Sequence, residues 1–323
     1  MLKSLWYKRI NFPLKLGLGL LCLFYLYQEL FIKNKFNLLW SQFLILSWDI
    51  SKIILLFSVF FLVLVNWGIE TGKWKFLIDS IQKVTWLEAF FAVISGITLS
   101  IFTPNRLGDF AARIFYLKRA NRTKGLLISL VGSISQLSIT LILGGFCLCI
   151  YIIRYENLSV SASLLVRIIP FFIAVFTLLF YFNLSILYWI VSKLKKGAII
   201  KHLFNVFTTF SNRILTLLLM LSLFRFIIFS LQYYLILLFF DIDISWADSF
   251  IITSCIYIAL AIIPTMALVE LGVRGALSIY FFKPFISNEL TILASSYVIW
   301  CINLFLPSLL GLLFLSKIEF FKT

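Results

Sequence analysis

Charged and catalytic side chains are scarce in this sequence of 323 residues. Only 13% of the residues are charged, against roughly 25% in ordinary soluble domains. The one histidine, His202, lies in a basic segment, and the sequence has neither an H-E-x-x-H motif nor a Walker A motif. The five cysteines lack C-x-x-C spacing and are interpreted as buried structural residues. We therefore predict no metal or cofactor site. If the protein were an enzyme, its catalytic residues would form no motif that can be recognised in the sequence.

Apolar residues dominate the sequence instead. Hydrophobic residues make up 62% of the chain and aromatic residues 18%, which is more than a soluble fold can bury, so an all-α polytopic membrane protein is predicted. The alternation typical of an outer-membrane barrel is absent. Because the basic N-terminus has no small-x-small cleavage site, we expect the first span to be retained. The predicted full spans, each close to the roughly 20 residues that a membrane crossing needs, are 14–32, 53–69, 126–153, 164–191, 215–240 and 290–316.

The formal net charge of +15 is interpreted as a membrane feature. Lysine and arginine concentrate in cytoplasmic loops and favour anionic lipid surfaces, so lipids rather than nucleic acid are the expected partners. Basic residues place the N-terminus and the loops at 118–124 and 193–213 in the cytoplasm. Lys317 and Lys322 favour a cytoplasmic C-terminus, whereas the acidic segment 241–248 is expected outside.

Two further segments, 88–118 and 249–282, are apolar until each reaches a proline, Pro104 or Pro264. If both segments crossed the membrane, the basic loops would fall on opposite sides of it. The conflict disappears when each segment enters the membrane, breaks at its proline and returns to the side from which it came. Two re-entrant helical hairpins are therefore predicted.

The order of span, span, hairpin and span then occurs twice within a single transmembrane domain, 1–323. Three full spans per half invert the second half relative to the first, with the halves at 1–160 and 161–323. Paired, proline-interrupted segments in such halves indicate a transporter-type site where the halves meet. A chance likeness between the two halves is the alternative interpretation.

The first predicted hairpin contains the motif TPNRLGDFAAR at residues 103–113. Thr103 is predicted to cap a half-helix that begins at Pro104, and its free N–H groups and positive dipole end would attract a phosphate or carboxylate. Gly108 would permit close approach of a neighbouring helix. The alternative is an interfacial helix whose arginines extend to lipid headgroups. The charged residues of the motif, expected on one helix face from their spacing, are Arg106, Asp109 and Arg113.

The second predicted hairpin contains IIPTMALVELGVRGALSIYFF, residues 262–282. Glu270 and Arg274 are four residues apart, which is a favourable spacing for a helical ion pair. Gly272 lies between them and makes the helix narrower there, because glycine has no side chain. A purely structural pair that seals a helix crossing is the alternative.

Polar side chains also lie inside the predicted spans. Arg225 is far from either end of its span, where a charge costs about 2.5–3.5 kcal/mol, and its expected partner is Asp109 or Glu270. Asn303 lies four residues before Pro307, so we expect it to satisfy a backbone carbonyl. A polar stripe in the third span, expected to make helix–helix contacts, comprises Ser129, Ser133, Gln136 and Thr140.

Both hairpin motifs resemble segments of a known family. TPNRLGDFAARIFYL resembles the Pro-x-Arg-x-Gly-Glu…Arg segment of the lysylphosphatidylglycerol synthase transmembrane family, and IPTMALVELGVRGAL resembles its second signature, a proline followed by a Gly-Val-Arg-Glu-like stretch. Here Asp109 replaces the usual glutamate of the first motif. Gly275 replaces the acid of the second motif, and Glu270 supplies a carboxylate upstream. The remaining matched positions are Pro104, Arg106, Gly108, Arg113, Pro264, Gly272, Val273 and Arg274.

The family comprises the flippase-like membrane domains of bacterial multiple-peptide-resistance factors and their stand-alone relatives. The resemblance implies a multi-pass protein of the bacterial inner membrane that moves a lipid or lipid-linked molecule between leaflets. The sequence ends at Thr323 without the soluble aminoacyl-transfer domain of fused members, so a synthase is not expected. The alternatives are a membrane-embedded enzyme or accessory subunit in polar-lipid or lipid-linked glycan synthesis, and a scaffold. A homo-oligomer or a complex with lipid-synthesis proteins is compatible with the sequence.

An anionic headgroup is expected to bind at the two hairpins. The arginines would neutralise the headgroup, while Asp109 and Glu270 would hold the arginines in the empty site or accept a proton. The predicted substrate-binding residues are Thr103, Pro104, Arg106, Gly108, Asp109, Arg113, Arg225, Pro264, Glu270, Gly272 and Arg274.

Overall fold

The computed structural model describes residues 37, 40–42, 44, 46, 48–101, 103, 106–156, 159–193, 201, 203–263, 267–285 and 288–315. These residues form helices joined by short connections, without a strand among them. Several sequence predictions fall outside the described residues, namely those on the span 14–32 and on Pro104, His202, Pro264, Lys317 and Lys322.

The helices follow one another as a membrane bundle. They are α1 (Ile50–Ile78), α2 (Trp86–Ser100), α3 (Leu107–Ile114), α4 (Arg122–Tyr155), α5 (Val160–Phe182), α6 (Ser185–Lys193), α7 (Asn212–Phe239), α8 (Trp246–Ile262), α9 (Ala267–Phe282), α10 (Glu289–Trp300) and α11 (Leu306–Leu315). A π-helical turn, Cys301–Phe305, joins α10 to α11. The helices of the described part that are long and apolar enough to cross a membrane are Ile50–Ile78, Arg119–Tyr155, Val160–Phe182, Asn212–Phe239 and Glu289–Phe314.

The predicted membrane-protein class is confirmed, and five predicted spans have a matching helix. The predicted span 164–191 ends earlier than expected, because α5 stops at Phe182. The Asn183 amide donates to the Leu179 carbonyl at 2.8 Å, which satisfies a carbonyl that the last turn leaves open. The short helix α6 then carries the chain onward.

The segment predicted as the first hairpin is broken into α2 and α3. Their chain directions oppose each other, since Gly108 packs on the Leu99 carbonyl and Gly96 packs on Asp109. A Cβ at either glycine would overlap the opposite helix, so glycine permits this close approach. In the second segment, α8 ends at Ile262 and α9 begins at Ala267. The structure thus breaks both segments where the sequence predicts a break.

Two large hydrophobic clusters of the described residues hold the bundle together. One packs Tyr233, Phe282 and Trp300 between the C-terminal helices, and the other packs Trp74 and Tyr181 between α1, α4, α5 and α7. Large apolar residues also cover the outside, as on α5, where Phe172 and Phe176 are exposed. Such an apolar exterior suits a hydrocarbon environment.

Candidate functional site

An ion cluster centred on Glu70 lies between α1, α3 and α7. Glu70 Oε1 accepts a hydrogen bond from Arg113 Nη1 at 2.7 Å, and Glu70 Oε2 accepts one from Arg225 Nη1. Lys73 Nζ is 3.6 Å from the same carboxylate. Arg113 also donates to both oxygens of Asp109, each at 2.7 Å. The carboxylate of Glu70 therefore holds cations from three separate helices.

Polar side chains surround this first cluster. Arg225 Nε donates to Asn66 Oδ1 at 2.7 Å, and its Nη1 lies 3.5 Å from Gln136 Oε1. Lys73 Nζ donates to Ser222 Oγ at 3.2 Å. A buried charge without hydrogen-bond partners is costly in a low-dielectric interior. The acceptors around each cation of this cluster offset that cost.

A second ion cluster connects the two segments predicted as hairpins. Arg106 Nη2, from the first hairpin, donates to both oxygens of Glu270 on α9 at 2.9 and 2.8 Å. Arg274 Nη2 donates to Glu270 Oε1 at 2.7 Å, so the predicted pair of Glu270 and Arg274 is confirmed. The Arg106 side chain is 45% exposed, whereas that of Glu270 is 8% exposed. One buried carboxylate thus joins the hairpins through a partly open arginine.

The turn before α3 differs from its sequence prediction. The helix begins at Leu107, and Arg106 is its N-cap with φ 57°, in the left-handed region. Thr103 is not the N-cap, but its hydroxyl accepts a hydrogen bond from the Gly108 N–H at 2.6 Å. Arg106 therefore lies before the helix and reaches Glu270, while only Asp109 and Arg113 pair along α3 as their spacing predicts.

Two neighbouring chambers adjoin the ion clusters. The first chamber, of about 420 Å³, is lined by the Glu70 cluster, and the second, of about 460 Å³, is lined by Glu270 and Arg274. Residues that line both chambers are Arg106, Gln136, Thr140, Phe229, Asn303 and Leu304. The ionisable acidic and basic side chains among the described lining residues are the basic Lys73, Arg106, Arg113, Arg225 and Arg274 and the acidic Glu70, Asp109 and Glu270. The described walls therefore carry an excess of positive charge.

The outcome for the predicted site residues is mixed. The partner expected for Arg225 was wrong, because Arg225 pairs with Glu70 and not with Asp109 or Glu270. Gly108 does permit a close approach, whereas a Cβ at Gly272 would meet nothing within 4 Å. Two members of the polar stripe, Gln136 and Thr140, line both chambers. Gln136 Nε2 also donates to the Ser222 carbonyl of α7 at 3.3 Å, which is a helix–helix contact of the predicted kind.

Sequence reasoning missed Glu70 and Lys73. The predicted span stops at residue 69, yet α1 continues to Ile78. The sequence did contain a signal for this pair. Glu70 and Lys73 are three residues apart and directly follow the hydrophobic run of the predicted span. An acid at that position could have been predicted to form an ion pair with Arg225, which needs a partner inside the membrane.

Comparison with known families identifies the chain. The family described as the lysylphosphatidylglycerol synthase TM region matches residues 14–311. The chain belongs to this family. The match covers both hairpin motifs and confirms the resemblance drawn from them. A search of curated proteins found no significant match.

Membership in the lysylphosphatidylglycerol synthase transmembrane family agrees with the helical, membrane-spanning architecture. In this member, the arginines of both clusters are held by carboxylates at hydrogen-bond distance. Guanidinium groups bind carboxylate and phosphate oxygens with the same two-pronged geometry. The site therefore has the chemistry to exchange a protein carboxylate for an oxyanion.

Proposed function

We propose that this protein moves a lipid or lipid-linked molecule with an anionic headgroup between the leaflets of the bacterial inner membrane. The observation that supports this proposal is the excess of basic side chains around the two neighbouring chambers beside the ion clusters. Charges at membrane depth are costly and mark substrate pathways. An anion would balance the excess, which a neutral or cationic headgroup would not.

The hairpin lengths support a membrane-embedded site. With 15 residues, α2 extends about 22 Å at 1.5 Å per residue, which is less than the roughly 30 Å of the hydrocarbon core. The helix α3 has 8 residues. We infer that both hairpins are re-entrant and belong to inverted halves, 1–160 and 161–323.

The proposed mechanism is an exchange of partners. Arg106, Arg113, Arg225 and Arg274 neutralise the headgroup, and their carboxylates hold them when the site is empty. Asp109 and Glu270 keep these arginines oriented or take up a proton during the cycle. One half then rocks against the other, so that the chambers open to each leaflet in turn.

Leaflet exchange in proteoliposomes tests this function. Headgroup-labelled lipids are reconstituted with the wild type, Asp109→Asn or Arg225→Gln, and their transfer to the outer leaflet is followed over time. We expect both variants to lose exchange while remaining folded. The matched controls, Asp243→Asn and Arg213→Gln, change exposed residues and should retain exchange.

Two results would count against the proposal. Unchanged exchange in Asp109→Asn and Arg225→Gln would remove the site assignment. Absence of exchange by the wild type across a panel of anionic lipids would remove the transport function. Lipid mass spectrometry of a deletion strain then separates the alternatives, because a missing lipid species indicates a membrane-embedded enzyme or its accessory subunit.

A further inference from the structure

The basic residues that line the two chambers include a single lysine among the described residues, and the others are arginines. This lysine, Lys73, belongs to the wall of the first chamber, and its side chain is 2% exposed. Arginine keeps its proton throughout the physiological pH range, whereas a buried lysine can give its proton up. Lys73 is therefore the basic group of these walls that can change its charge.

The charges of the first ion cluster balance without Lys73. Arg113 donates to Glu70 and to both oxygens of Asp109, each at 2.7 Å, and Arg225 donates to the other oxygen of Glu70. Two guanidinium groups thus face two carboxylates at hydrogen-bond distance, whereas Lys73 Nζ is 3.6 Å from Glu70. A neutral Lys73 would leave all of these pairs intact, and a charged Lys73 gives the cluster a surplus of one positive charge.

The surroundings of Lys73 suit both of its protonation states. Nζ donates to Ser222 Oγ at 3.2 Å, and the hydroxyl groups of Ser222 and Ser135 lie 2.8 Å apart. A hydroxyl accepts from an ammonium and donates to a neutral amine, so Ser222 can stay bonded to either form. The described lining residues of α2, α4 and the π-helical turn are uncharged, and the charged groups that share the chamber with Lys73 are Glu70, Arg106, Asp109, Arg113 and Arg225.

The carboxylates are less suited to take up a proton. Both oxygens of Asp109 accept from Arg113, and both oxygens of Glu270 likewise accept from an arginine. Each oxygen of Glu70 also accepts from an arginine. A proton added to one of these groups would set an O–H donor against a guanidinium donor. Lys73 is the group of the first chamber whose protonation breaks no ion pair.

We propose that the anionic headgroup crosses the membrane together with one proton, which Lys73 carries. A proton from water on one side binds the lone pair of the Lys73 amine, and the headgroup balances the positive charge that results. On the other side the headgroup leaves, the N–H bond breaks and the proton returns to water. The crossing is electrically neutral, so the membrane potential does not oppose it. This inference rests on the proposed function, and it places on Lys73 a proton that Asp109 or Glu270 would otherwise take up.

A pH gradient across proteoliposomes tests the coupling. Phosphatidylcholine vesicles with the wild type contain a trace of phosphatidylethanolamine whose amine bears a fluorescent label, so that the phosphate is its charged group. The lumen is one pH unit more alkaline than the outside, and dithionite quenching gives the fraction of the label in each leaflet. One proton per lipid predicts about a tenfold excess of the label in the inner leaflet, which nigericin in potassium buffer should abolish. A leaflet ratio near one with the gradient in place would overturn the proposal.

A pair of matched variants locates the proton. Lys73→Arg keeps the positive charge but does not release its proton, so the leaflet ratio should fall from about ten to about one. The control, Lys52→Arg, changes a lysine that is 5% exposed, pairs with Asp241 and lines neither chamber, so it should keep the wild-type ratio. A wild-type ratio that survives Lys73→Arg in folded protein would show that another group carries the proton and would refute the assignment.

Infrared difference spectra of the wild type, recorded at the two pH values, assign the proton without the Lys73 variant. Proton uptake by a carboxylate produces the C=O band of a carboxylic acid, whereas uptake by an amine does not. A band of this kind that disappears in Asp109→Asn or Glu270→Gln would overturn the proposal. Its absence, together with the tenfold leaflet ratio, would support it.

The same vesicles separate this inference from the proposed function. Exchange of the labelled lipid that does not respond to the pH gradient removes the inference and keeps the proposed function. Absence of exchange by the wild type, with or without the gradient, removes the transport function and the inference with it.

Discussion

Neutralising Glu70 should destabilise the protein strongly. Its side chain is 13% exposed and contacts Arg113 at 2.7 Å, Lys73 at 3.6 Å and Arg225. At an effective dielectric constant of 20, two charges about 4 Å apart interact by about 4 kcal/mol. Glu70→Gln removes the carboxylate that the three cations share, and in the described cluster only the pair of Asp109 with Arg113 remains. Since removing one partner of a buried ion pair costs about 3–5 kcal/mol, we expect a loss of that size in the free energy of unfolding.

The measurement is an unfolding titration with sodium dodecyl sulfate in mixed micelles, followed by helical circular dichroism. Glu289→Gln changes an exposed glutamate in the first turn of α10 and should cost no more than about 1 kcal/mol. Adding Lys73→Met to Glu70→Gln removes a 2% exposed cation and should recover about 1–4 kcal/mol. A Glu70→Gln loss below 1 kcal/mol, or a double variant no more stable than the single one, would refute the electrostatic reasoning.

Two further stability predictions use matched pairs of variants and the same titration. Gly96→Ala places a methyl group against the Asp109 carboxylate, whereas Gly145→Ala meets nothing within 4 Å. We expect a loss of about 1–3 kcal/mol for the first and a neutral or stabilising effect for the second; equal effects would contradict the close approach. Arg106→Gly and Arg106→Gln both lose the pair with Glu270, but only glycine relieves the φ of 57°. Arg106→Gly should therefore be the more stable by about 1 kcal/mol, and the reverse order would contradict the left-handed turn.

Local spacing predicted the pairs that lie within one helix. Asp109 with Arg113 and Glu270 with Arg274 are each four residues apart and form ion pairs. Side chains four apart on a helix are neighbours whatever the tertiary fold. Hydropathy likewise predicted the helical class and the breaks in both hairpin segments. A membrane requires long apolar segments whatever their tertiary contacts are, so these segments and their interruptions are visible in the sequence.

Contacts between helices that are far apart in the sequence could not be predicted from local spacing. Glu70 and Arg225 are 155 residues apart, and any of the three carboxylates could have matched Arg225 by charge alone. The left-handed conformation of Arg106 was equally inaccessible, since an arginine rarely adopts a positive φ. It is imposed by the turn in which the Thr103 hydroxyl receives the Gly108 N–H, and it directs Arg106 away from α3.

The arrangement of the acids gives the proposed transport a physical route. Asp109 keeps Arg113 within the first hairpin, and Glu270 keeps Arg274 within the second. Among the ion pairs of the described residues, only Arg106–Glu270 joins the two segments predicted as hairpins. A headgroup phosphate that takes Arg106 from Glu270 breaks this link while Glu270 retains Arg274, so neither carboxylate is left as an unpaired buried charge. In the proposed cycle, this exchange removes the ion pair between the two segments, which couples anion binding to movement of the halves.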